Sequence, residues 1–126
     1  MADHALPKTV YIASDHAGVD TKTMLSAYLT ELGFDVEDLG PDTTESVDYP
    51  DYAHKLGRTV VDTNSWGVLV CGSGIGMSIA ANKVDGVRAA LVHDAYTARM
   101  AHEHNRANVL VVGARVIGSE VMKSCI

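Results

Sequence analysis

Two cysteines, one tryptophan, one phenylalanine and three prolines are all that this 126-residue chain holds of those residue types. Cys71 and Cys125 are too few and too far apart for a disulfide framework or a zinc site, so a reducing compartment and no metal are expected. No apolar run approaches the roughly 20 residues of a membrane span. Met1 to Lys8 lacks the charged-then-apolar order of a secretory signal and reads as a loose tail. Cys125 stands second from the end, whereas a prenylation box needs its cysteine fourth from last. Basic residues are also short, 10 Lys and Arg against 16 Asp and Glu for a formal net charge of −6. That balance argues against nucleic acid and anionic membranes as partners. A cytoplasmic protein is the expectation. A phosphorylated small molecule stays available as a ligand, because one or two arginines and local dipoles can override the global field. The length suits one domain, taken as residues 9–126.

What the chain does hold is concentrated in Trp66-Gly67-Val68-Leu69-Val70-Cys71-Gly72-Ser73-Gly74-Ile75-Gly76-Met77-Ser78. Val68 to Cys71 is an apolar run that predicts a buried strand, and glycines at 72, 74 and 76 break it. Met77 to Lys83 predicts a helix packed close to a sheet. A strand, a glycine loop and a helix aim backbone N–H groups and the positive end of a helix dipole at whatever sits above the loop, which makes an anion cradle. A cysteine in that position is expected to have its pKa lowered toward thiolate, as a base or nucleophile needs. The alternative is that Cys71 is a small buried hydrophobe and the glycines only form a turn.

The rest of the chain repeats the alternation. Strands are predicted at 9–13, 34–40, 87–92 and 108–112. Helices are predicted over 21–32, with Met24, Leu25, Tyr28, Leu29 and Leu32 on one face, over 49–61, over 95–103, and at the C-terminus. With no hairpin signal, the pattern implies a three-layer αβα, Rossmann-like sandwich around a five-stranded parallel sheet. Ligands of such sheets sit at the carboxyl ends of the strands. Asp15, His16, Cys71 with its loop, His93 and Arg115 all fall just past predicted strand ends. His104 and Asn105 do not. They close the helix at 95–103, which carries the chain roughly 16 Å back at about 1.5 Å per residue. A chemical role for His104 therefore implies a neighbouring subunit's site. The other reading is a histidine favoured at the negative end of a helix dipole.

Asp15-His16, Ser46-Val47-Asp48-Tyr49-Pro50, Cys71-Gly72-Ser73-Gly74-Ile75-Gly76, Ala80-Ala81-Asn82-Lys83 and His104-Asn105-x-x-Asn108 occur in that order. Together they resemble the type B ribose-5-phosphate isomerases, in a family that also holds galactose-6-phosphate and allose-6-phosphate isomerases. The resemblance covers nearly all of residues 9–126. It implies interconversion of ribose 5-phosphate and ribulose 5-phosphate through an enediolate, without cofactor or metal, in a homodimer whose sites use both chains. Residue by residue, it implies that Cys71 is the base that moves the proton between C2 and C1 and that His104 opens the furanose ring. Asp15 and His16 then bind sugar, Gly72, Ser73, Gly74, Ile75 and Gly76 hold the enediolate oxygens, and Asn105 and Arg115 add ligand contacts. Relatives without the cysteine carry a glutamate six positions later, where this chain has Met77.

Family members usually continue past the position of Ile126 with arginines that bind phosphate. The expectation is that Arg115 and His16 hold the phosphate without them and that turnover is weakened. Three other readings stand beside the ribose enzyme: a hexose-6-phosphate isomerase, a sugar-phosphate-binding homologue that turns over poorly or not at all, and a non-catalytic nucleotide or phosphate binder. The last is disfavoured because Gly72-x-Gly74-x-Gly76 is not the dinucleotide fingerprint and follows the third strand, not the first.

Overall fold

A computed structural model describes residues 8–42 and 47–126. Ser46 and all of the expected tail but Lys8 lie outside the described residues. The strands are β1 (Thr9–Ser14), β2 (Asp35–Asp38), β3 (Trp66–Cys71), β4 (Ala89–Leu91) and β5 (Val109–Gly113). The helices are α1 (Val19–Glu31), α2 (Tyr49–Thr63), α3 (Ile75–Ala81), α4 (Ala95–Asn105) and α5 (Ser119–Cys125), and a 3-10 turn at His16–Gly18 leads into α1. All five strands are parallel, in the order β2-β1-β3-β5-β4. Among the described residues, no helix is long and apolar enough to cross a membrane.

The sheet separates two apolar layers. On one face Leu25 and Leu29 of α1, Ala98 and Ala101 of α4 and Met122 of α5 pack on Val10, Ile12, Val68, Val70 and Val112. On the other, Ala53, Leu56 and Val60 of α2 and Met77, Ala80 and Ala81 of α3 pack on Ala13, Leu69, Val109 and Val111. β3 lies between β1 and β5 and is covered on both faces, which is why its sequence is a continuous apolar run and not an alternation. The two outer strands protect themselves differently. β2 carries the exposed acids Asp35, Glu37 and Asp38, and charge discourages pairing at an open edge. On β4, Ala89 directs its backbone N–H and C=O to the side-chain amide of Asn82, at 2.8 and 2.9 Å.

Most element ends shift by a residue or two from the sequence expectation, and at α3 and β4 the hydrogen bonds show why. α3 begins two residues earlier than Met77, because the Ile75 N–H finds the Ser73 hydroxyl oxygen at 3.2 Å, and it stops as Asn82 turns to β4. β4 is shorter than 87–92, since the Arg88 N–H is held by the Asn108 side chain at 2.8 Å before pairing with β5 begins at Ala89.

Candidate active site

From β1 the chain returns through α1 to β2 on one side, whereas β3 lies on the other side of β1. A crevice opens at the carboxyl ends where the strand order reverses in this way. Here it is an open cleft of about 460 Å³ lined by Asp15, Tyr49, Cys71, Gly72, Ser73, Gly76, Arg115 and Val116. Asp15 follows β1, the cysteine and its glycines end β3, and Arg115 follows β5.

Cys71 is 5% exposed, and its sulfur accepts the Gly74 N–H at 2.9 Å. Burial pushes the thiol above its ordinary value of 9.0. The amides of Met77, Gly74 and Ser73 pull the other way, and the nearby charge of Asp15 adds to the rise. The expected lowering toward thiolate is therefore overturned. The loop amides do favour the charged form, as the sequence suggested, but taking the sulfur out of water outweighs them.

The cradle is partly closed on itself. Of the amides assigned to a ligand, that of Gly74 bonds the cysteine and that of Ile75 bonds Ser73. Because the Ser73 oxygen accepts from Ile75, its own O–H is left to donate into the cleft. Gly74 has φ +85°, and a Cβ there would run into Leu91. Gly113 lets the loop approach β5, since a Cβ on it would stand 2.6 Å from the Ser73 carbonyl oxygen. The Ile75 side chain is 56% exposed and does not line the cleft.

The Asp15 carboxylate accepts the N–H groups of Ala17 and Gly18, both at 3.0 Å, and so caps the turn that carries His16. His16, expected to bind sugar, is half-buried and does not line the cleft; its Nδ1 accepts the Val47 N–H at 3.4 Å. Arg115 is exposed and lies across Gly72, with Nη1 3.3 Å from where a Cβ on that glycine would be. Val116 and Tyr49 line the cleft without having been expected there; Tyr49 stood only at the start of a helix and within the segment at 46–50 that carries the resemblance. Its ring lies so close to Gly76 that a Cβ there would fall 2.8 Å from it. An aromatic residue opening a helix at the carboxyl edge of a parallel sheet was the available signal.

His104 and Asn105 stand elsewhere, exposed at the far end of α4. A capping box starts that helix, with the Asp94 carboxylate accepting the Thr97 N–H at 2.7 Å. Its other end is fixed as well: the Asn105 carbonyl accepts from Arg88 Nε at 2.6 Å, while the Asn108 amide bonds Arg88 and Gly86. Asn105 lines a separate hollow of about 480 Å³ with Asn82, Arg88 and Met100. A more enclosed cavity of about 280 Å³ beside Trp66 and His102, under α4 and α5, shares no residue with the cleft. His93, expected near the carboxyl edge, also misses the cleft, because β4 sits beyond β5 at the border of the sheet.

The sequence profile of the ribose/galactose isomerase family matches residues 10–126. The solved ribose 5-phosphate isomerase B of Anaplasma phagocytophilum is 52% identical, with a TM-score of 0.89 over 95% of this chain and 83% of its own. The D-erythrulose-4-phosphate isomerase of Pectobacterium atrosepticum is 44% identical, over 94% of this chain and 79% of its own length. Ribose-5-phosphate isomerase B of Escherichia coli K12 is 40% identical, over 92% and 78% respectively. With a matching profile across nearly its whole length and relatives at these identities, the chain belongs to the ribose/galactose isomerase family.

Proposed function

We propose that this chain is an aldose-ketose isomerase that interconverts D-ribose 5-phosphate and D-ribulose 5-phosphate, in the cytoplasm and within the non-oxidative pentose phosphate pathway. The observation that carries the reading is the buried thiol of Cys71, which opens onto a cleft with one arginine and a serine hydroxyl.

Isomerisation needs a base for a carbon-bound proton and donors for the oxyanion that develops. The Cys71 thiolate takes the proton from C2 while the C1 oxygen gains one, giving the enediol. The S–H then returns a proton to C1 as the C2 oxygen loses its own. Ser73 O–H and the Gly72 and Gly76 segment of the loop face those oxygens, and Arg115 pairs with the phosphate. A thiol above its ordinary pKa is the stronger base for a weak carbon acid, at the cost of a small thiolate fraction at neutral pH. Opening the furanose ring falls to His104 of a second copy, with Asn105 beside it, so the enzyme works as a homodimer. What supports this division is that α4 carries both residues away from their own cleft.

The test is ribose 5-phosphate in D2O. The expected result is ribulose 5-phosphate carrying deuterium at C1, and absence of both turnover and exchange would overturn the reading. A second reading, a four-carbon ketose phosphate as substrate, is favoured by the 44% identical relative of that name. Comparing kcat/KM for four-, five- and six-carbon phosphates separates it and the hexose alternatives from the ribose reading.

A further inference from the structure

Lys22 is the largest fully buried side chain of the protein's described residues, 1% exposed, on the first turn of α1. Its ammonium donates to the Asp38 carboxylate at 2.8 Å and to the Pro41 carbonyl at 2.5 Å. Asp38 is 41% exposed at its side chain and also accepts the Gly40 N–H at 2.8 Å. Burying an ammonium is costly, and a hydrophobic residue of the same size often serves stability as well or better. Its two acceptors lie at the end of β2 and at the start of the connection to α2, so the charge holds the root of that connection.

The other root of the same connection is held from the same segment. His16, six positions before Lys22, accepts the Val47 N–H, and two residues later Tyr49 lies against Gly76 in the cleft. The turn at His16–Gly18 and the start of α1 thus grip the β2–α2 connection at both ends, Lys22 at Pro41 and His16 at Val47. We infer that Lys22 is a positioning residue for the isomerase site: by fixing the root of the β2–α2 connection it sets Tyr49 over the glycine loop and fixes the ring orientation of His16. Its kinetic consequence rests on the isomerase reading, and its structural consequence does not.

Lys22→Met fills the same space without the two hydrogen bonds. Its KM for ribose 5-phosphate is expected to rise about tenfold with kcat changed less than about threefold, the pattern of lost ground-state binding. Asp38→Asn removes the ion pair and keeps the bond to Pro41, so its KM should stay within about twofold of wild type. A readout free of turnover is the His16 tautomer in the unliganded protein, by long-range 1H–15N correlation. Nδ1 accepts from Val47, so the ring proton sits on Nε2 in the wild type, and Lys22→Met should show exchange between tautomers. Unchanged KM together with an unchanged tautomer signature in a folded Lys22→Met protein would overturn the inference. If the wild type does not turn over ribose 5-phosphate, the isomerase reading fails and the tautomer experiment decides the role of Lys22. If Lys22→Met does not fold, Lys22→Gln, shorter and uncharged but still a donor, takes its place in loosening the hold on Pro41. The same rise in KM is then expected, and no rise overturns the inference.

Discussion

The carboxyl edge of the sheet and the far end of α4 hold the two halves of the predicted chemistry, and they are built differently. At the edge, loops after three adjacent strands converge on a buried sulfur, with amides and a hydroxyl already arranged around it. At the end of α4, His104 and Asn105 are exposed; the Asn105 carbonyl accepts from the Arg88 side chain, and no acid, base or anion-binding group of the cleft stands beside them. The first region carries the groups a proton transfer needs, and the second an exposed imidazole remote from its own cleft. A group so placed makes sense when a second copy supplies the rest. On the proposed function, the comparison is between a base and a ring-opening group that lie apart in one chain.

The largest effect should come from the edge. Cys71→Ala should lower kcat by about 10³-fold or more, within or above the range that general bases contribute, while the circular dichroism and the elution volume stay as in the wild type. Turnover within a few-fold of wild type would remove the base from the account. Gly113→Ala comes next, because its methyl group would strike the backbone of Ser73. Displacing the loop should cost about 10 to 100-fold in kcat/KM and about 1–3 kcal/mol of stability as overpacking, read by steady-state kinetics and denaturant unfolding.

At the other region a smaller and more selective change is expected. His104→Asn should slow the reaction of cyclic ribose 5-phosphate about tenfold or more, and that of open-chain ribulose 5-phosphate much less, since only ring opening needs the imidazole. Equal losses in both directions would assign His104 to a step other than ring opening.

The smallest effect is one of pH. Burial raises the thiols of both Cys71 and Cys125. A group with a raised folded pKa contributes stability that is fully present below its unfolded value and lost as pH rises through the folded one. Unfolding free energy should therefore fall as pH rises from the ordinary thiol range, about 8.5 in the unfolded chain, through the raised folded value, while kcat/KM, which needs thiolate, rises over the same interval. Cys125→Ala should flatten the stability slope and leave the rate profile unchanged. A rate that is flat with pH would contradict a raised thiol as the base.

Much of this was legible in the residues, for identifiable reasons. The run Val68 to Cys71 reads as a central strand because it is covered on both faces, and Met24, Leu25 and Leu29 reveal α1 because only one face of it is buried. The clustering of Asp15, Cys71 and Arg115 followed from their places after strands of a parallel sheet, and the isolation of His104 from the length of one helix. The strand order was not legible, since nothing local in β4 or β5 says which lies outside, so the residues could not tell that His93, past the end of β4 as expected, stands off the cleft. The thiol's pKa was misjudged because the amides that lower it are neighbours in sequence, whereas the burial that raises it comes from packing between α2, α3 and the sheet. Tyr49 escaped for a similar reason: its contact with Gly76 joins segments that only the folded connection brings together.

The division of the site between chains is tested most directly by mixing Cys71→Ala and His104→Asn proteins, the first without turnover and the second at most about a tenth as active as wild type toward ribose 5-phosphate, under conditions that exchange subunits. Random reassortment makes about half of the dimers mixed, each with one intact site and one doubly defective site, so about a quarter of wild-type activity should return. No recovery, with mixed dimers demonstrated by native mass spectrometry, would contradict the claim that Cys71 of one chain works with His104 of the other.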